Sequence, residues 1–181
     1  MRIHENNALG ELGSAIGKGL LAGLAATAAM TISQMIEMNI TKRQPSEATL
    51  KVVGEVAGAE PKNEEDKTKL SQEIHWTYGT VWGVTRGLIS LTGLKGISAT
   101  LLHFGAVWGT SMVMLPKFDA APPVTEEEPK DIVVDGLHHL VYAITAGIVF
   151  DALDAGGRHE RKVDKLVRQL HLKGLINKFN L

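Results

Sequence analysis

The sequence predicts an all-α membrane protein: a four-transmembrane-helix antiparallel bundle with a short loop helix and a basic amphipathic C-terminal helix. Three observations predict it. Apolar residues gather in four spans of membrane-crossing length. The connectors between those spans are short, charged or rich in proline. Glycines recur inside the spans at the four-residue spacing that lets helix backbones approach one another.

The elements follow in order. Residues 1–13 form a polar N-terminal tail with no apolar core ahead of a cleavage site, so the first hydrophobic span is expected to stay in the mature protein. The membrane domain covers residues 14–155, with spans at about 15–38, 74–94, 96–116 and 131–153. Residues 19–36 are 18 positions without a charge, and residues 96–116 are 21 without one, matching a hydrocarbon core of about 30 Å. The second span carries only Arg86, and the fourth, over its apolar run 132–150, carries only Asp135 beside two histidines. Between the first two spans, Pro45 and Ser46 open a short helix through about Gly58, and the charged run 60–69 is solvated. Only residues 92–96 separate the second and third spans, which makes them the tightest hairpin. Pro122, Pro123 and Pro129 with three glutamates at 126–128 lay the next connector along the membrane surface. After Gly156 and Gly157, residues 156–181 form the basic tail helix, with Val163, Leu166, Val167 and Leu170 on one side and Arg161, Lys162, Lys165, Arg168 and Lys173 elsewhere. A soluble or partner-binding tail helix has the same pattern.

An even number of spans puts both termini on one side. Seven Lys and Arg residues between 158 and 178 favour cytoplasmic termini, while Lys42 and Arg43 beside the first span pull the other way. The 19 basic and 20 acidic residues nearly cancel, which gives nucleic acid no field to bind. With no cysteine, thiolate chemistry is absent and only His, Asp and Glu remain as metal ligands. No phosphate loop, Ser/His/Asp order or zinc-protease helix motif occurs, so the reading is non-enzymatic and no cofactor is expected.

The polar residues inside the spans carry what functional signal there is. At about 1.5 Å rise per residue, Glu37 and His75 lie near the connector-side surface and Asp135 about 6 Å in. His138 and His139 lie about 10 to 12 Å in, with Arg86 and His103 near mid-membrane. His75, Trp82 and Arg86 share one helical face, as do Asp135, His139 and Tyr142. A charge facing lipid costs about 2.5 to 3.5 kcal/mol, so Arg86 and Asp135 should turn inward. Asp135 is the only acid well inside a span, but it sits nearer the connector side than Arg86, leaving His103, Tyr142 and carbonyls closer to the arginine in depth. His138 and His139 point about 100° apart, and His139, sharing a face with Asp135, is the one expected to face a site.

The resulting column of Glu37, His75, Arg86, His103, Asp135, His139 and Tyr142 admits three uses. It can hold the bundle together, with Arg86 neutralised by hydrogen bonds or an acidic partner. It can relay protons or ions through His75, His103 and His139, with Glu37 and Asp135 at the mouth. It can hold a metal through Glu37, His75, Asp135 and His139, although no Glu-x-x-His motif is present. Gly19/Gly23, Gly79/Gly83/Gly87 and Gly105/Gly109 favour close helix packing inside the chain, against another membrane protein or against a second copy.

The runs His75-Trp-Thr-Tyr-Gly-Thr-Val-Trp-Gly-Val-Thr-Arg86-Gly87, His103-Phe-Gly-Ala-Val-Trp108-Gly and Asp135-Gly-Leu-His-His139-Leu-Val-Tyr142 resemble the YagU-like family of small bacterial inner-membrane proteins. The segment from Gly19 to Glu37 and Arg43-Gln-Pro-Ser46 resemble it too, so the likeness covers roughly residues 17–153. It implies a multi-span fold in the bacterial inner membrane and a part in envelope or acid-stress physiology, without a defined activity. The functional expectation is a non-enzymatic membrane protein handling protons or ions, with a structural subunit or assembly factor of a membrane complex as the alternative.

Overall fold

The computed structural model describes the backbone of residues 2–44, 46, 48–58 and 61–179, and the side chains of residues 8–44, 46, 48, 50–52, 54, 55, 58 and 61–156. Among these residues the fold is wholly helical. Its elements are α1 (Arg2–Thr41), α2 (Ala48–Ala57), α3 (Glu64–Leu91), α4 (Gly96–Lys117) and α5 (Pro129–Phe179). Three stretches are long and apolar enough to cross a membrane: Ala8–Thr41, Gly96–Lys117 and Pro129–Gly156. α3 is the exception to the four expected spans. Its first turns are charged, and His75, Arg86 and three glycines dilute the rest.

Local sequence sets the ends of these helices. The charged run expected to be solvated connector is the start of α3, where the Asn63 side chain accepts from the Asp66 N–H at 2.8 Å. Glu64, Glu65 and Asp66 then meet the positive end of the helix dipole. Gly93 and Gly96, at φ 89° and 56°, make the four-residue turn into α4, a conformation open to glycine and costly for other residues. Pro129 opens α5, where its missing N–H costs nothing. α5 runs through Gly156 and Gly157 to Phe179, so the separate tail helix expected there is a continuation of the fourth. Glycine weakens a helix by about 1 kcal/mol relative to alanine without forbidding one. The apolar and basic faces expected over 158–179 lie outside the described side chains.

The four long helices form a ring in which α1 packs on α3 and α5, α4 packs on α5 and more lightly on α3, and α1 and α4 occupy opposite corners. The closest pair is α1 with α3, rather than the expected hairpin of α3 with α4. The cause is glycine placement. A methyl carbon on Gly19 would lie 2.7 Å from the carbonyl oxygen of Gly83, and one on Gly23 would lie 2.9 Å from the Gly83 Cα. Gly87 lies against the backbone of Ala15, and Gly79 against the Thr27 side chain. Gly105 and Gly109 of α4, by contrast, face outward with nothing within 4 Å. Ala26, Val107, Tyr142 and Ala146 fill the centre, with Met30 and Trp82 against them.

The interior is mixed and the exterior apolar. Arg86, His103, His138 and Thr27 are buried among apolar side chains such as Ile89, Val107 and Phe150, while Leu21, Ile36, Val81, Ile97, Val113 and Ile148 are exposed.

Candidate functional site

The interior polar groups lie in successive layers along the bundle. At the connector end, Glu37 of α1 accepts from Arg43 Nη2 at 2.8 Å and from Thr41 Oγ1 at 2.9 Å. That carboxylate stabilises the charged form of Arg43 and raises its already high pKa further. Glu127, on the connector beside this end, has its carboxyl pushed up by partial burial, with Asp135 and Asp131 adding to the shift. His138 of α5 is buried against α1, with Nδ1 2.9 Å from Ser33 Oγ and Nε2 3.9 Å from Glu37 Oε2. On the neighbouring face, Asp135 accepts from Trp108 Nε1 of α4 at 2.9 Å, and His139 Nδ1 lies 2.9 Å from the Asp135 carbonyl and 3.4 Å from its carboxylate. A carbonyl can only accept, so Nδ1 of His139 carries the proton.

The next layers tie α3 to its neighbours. Thr31 Oγ1 donates its single proton to the Thr27 carbonyl at 2.8 Å, so the 3.0 Å bond between it and His75 Nε2 is donated by the histidine. Tyr142 Oη donates to the Gly79 carbonyl at 2.5 Å. His103 is 0% exposed and donates from Nε2 to the Trp82 carbonyl at 3.2 Å, which leaves Nδ1 as an acceptor without a partner among the described residues. The rings of His103 and Tyr142 are 5.7 Å apart.

Arg86 closes the column near the turn between α3 and α4. It is 0% exposed, its Cζ lies 4.7 Å from the centre of the Phe150 ring, and Nη2 donates to Asp151 Oδ1 at 2.5 Å. Its Nε and Nη1 have no partner among the described residues. Beside it, Lys18 of α1 pairs with Asp154 at 3.0 Å.

The structure brings together several expected residues and separates others. Asp135 joins His139, and His103 meets Tyr142. Glu37 meets His138 rather than the expected His139, because the 100° step between the two histidines points the first at α1. Among the described residues no three His, Asp or Glu groups are placed to hold a metal ion, so the set Glu37, His75, Asp135 and His139 does not assemble. His75 ends on Thr31, and Asp135 ends on Trp108 and His139.

Sequence reasoning missed Asp151, Asp154 and Lys18. Asp151 lies inside the fourth span as bounded but one residue past its uninterrupted apolar run, and the presence of a lone buried arginine was the signal that such an acid was needed. The chain matches no protein-family model, no curated protein and no solved structure.

Proposed function

We propose that this chain is a non-enzymatic integral membrane protein whose four long helices cross the bilayer and whose polar interior handles protons. The observation that carries the reading is a mixed interior behind an apolar exterior: titratable and hydroxyl-bearing side chains face inward on all four helices, while many large apolar side chains face out. α3 fits the same rule. Tyr78, Val81, Leu88 and Leu91 are exposed along it, and its one mid-helix charge, Arg86, is turned in. Lys51 of α2 donates to the carbonyl of Asp119, which supports both connectors lying on one side, as a crossing by α3 requires.

His75, His103 and His138, with Ser33, Thr31 and Tyr142, supply imidazole and hydroxyl groups along the axis, the chemistry a proton path needs. In this reading the protein sits in a bacterial inner membrane with cytoplasmic termini, belongs with the YagU-like proteins and acts in envelope or acid-stress physiology. Reconstitution tests it. Purified protein in liposomes should dissipate an imposed pH gradient, and His103→Ala should abolish the flux. Vesicles as tight as protein-free controls would overturn the proposal.

A second reading, a structural subunit or assembly factor, is favoured by Gly105 and Gly109, which leave an open backbone groove on the outer face of α4. Co-purification of a stoichiometric membrane partner with a silent wild-type protein would select it.

A further inference from the structure

We propose that Asp151 is the residue that exchanges protons with water at the turn end of the bundle, an inference that rests on the proton-handling reading above. Two facts single it out. Its carboxylate touches the buried interior directly, 2.5 Å from Nη2 of the fully buried Arg86, while 42% of its own side chain is exposed. Every other acid in the interior column lies at the connector end. Asp151 therefore spans inside and outside at the turn end, where the other acid, Asp154, is held by Lys18 rather than by the buried arginine.

The surroundings fit exchange better than a closed clamp. Asp151 lies one helical turn before Asp154, which pairs with Lys18, and so is within reach of water along that polar patch. The charged and titratable groups around it come from every packed element: Arg86 from α3, Lys18 from α1, Asp154 from α5 itself, and His103 from α4 about one turn deeper. A purely structural arginine would be expected to satisfy its donors, yet Nε and Nη1 of Arg86 have no partner among the described residues.

The step balances without a redox change. A hydronium ion at the turn end loses one O–H bond, the Asp151 carboxylate gains one, and a water molecule is left. The ion pair with Arg86 becomes a hydrogen bond from Nη2–H to the neutral carboxyl group. Loss of that proton to a water molecule restores the carboxylate and its pairing. Arg86 acts as a positioning residue, holding the carboxylate at the protein interior in both states.

The test uses full-length protein in liposomes with a trapped pH-sensitive dye and a valinomycin-set potential. Asp151→Asn should cut proton flux about 100-fold, and Asp151→Glu should restore most of it, while Glu11→Gln, at an exposed acid on α1, should conduct like the wild type. The chain has no cysteine, so Asp151→Cys gives a single labelling site; a membrane-impermeant maleimide should react from the turn end only. A conducting wild type with an equally conducting Asp151→Asn would overturn this inference alone, as would labelling only from the connector side. A silent wild type would overturn the proton-handling reading and the inference with it. If Asp151→Asn fails to fold, the glutamate variant and the labelling decide.

Discussion

Tyr142 of α5 donates a 2.5 Å hydrogen bond to the backbone carbonyl of Gly79 on α3, 63 positions away, and is 2% exposed. The bond and the ring beside His103 tie three helices at one level. Tyr142→Phe removes the bond and keeps the ring, so it should cost about 1 kcal/mol, seen as a fall of about 2 to 4 °C in Tm in detergent. Tyr142→Ala removes the ring as well and should cost about 3 to 5 kcal/mol. Equal losses for the two would show that the hydroxyl, and not the packing, dominates.

The glycines divide into two classes that substitution should separate. Gly23→Ala and Gly83→Ala place a methyl group in the backbone of the facing helix, so each should destabilise by about 1 to 3 kcal/mol or force α1 from α3. Gly105→Ala and Gly109→Ala meet nothing among the described residues and should leave the melting temperature unchanged or slightly raised. Thermal unfolding of the four single variants is the comparison, and a loss at Gly105 or Gly109 matching that at Gly83 would contradict the assignment of faces.

Arg86 and Asp151 should behave as a coupled pair in stability as well as in flux. Breaking a buried ion pair costs about 3 to 5 kcal/mol, but the 42% exposure of the Asp151 side chain screens this one, so Arg86→Leu should cost about 1 to 3 kcal/mol. Arg86→Lys keeps the charge and should retain part of that stability. Adding Asp151→Leu to Arg86→Leu removes the stranded carboxylate and should recover at least part of the loss. A double-mutant cycle measures it, and strict additivity would show the two residues to be uncoupled.

Crossing by α3 has its own measurement. Reporter fusions or single-cysteine labelling at Asn63 and at Thr125, in the connectors before α3 and before α5, should map to the same side of the membrane. Opposite sides would mean that α3 does not cross, leaving the three stretches that are apolar enough without it.

Three of the expected spans could be read in the sequence because hydrophobic length is a property of consecutive residues. So could the short helix before α3, announced by Pro45 and Ser46 and realised as Ala48–Ala57. Arg86 turns inward, as the cost of a charge in hydrocarbon predicts, whereas Asp135, expected to do the same, keeps 41% of its side chain exposed while accepting from Trp108. What failed was pairing. A five-residue turn suggested that α3 and α4 would be closest, yet the glycine faces of α1 and α3 permit a nearer approach than any short loop enforces.

The sequence by itself determined the helical class, most of the apolar spans and the burial of Arg86, since each depends on local composition and helical phase. The tertiary structure alone decided the partners. α3 and α5 run parallel with an offset that sets Gly79 beside Tyr142 and Arg86 beside Asp151, 63 and 65 positions apart, and so delivers Asp151 rather than Asp135 to the arginine. That offset is fixed by backbone contacts at glycines on α1 and by the fit of side chains between helices. Such contacts join residues far apart in the chain, and no local pattern encodes their register.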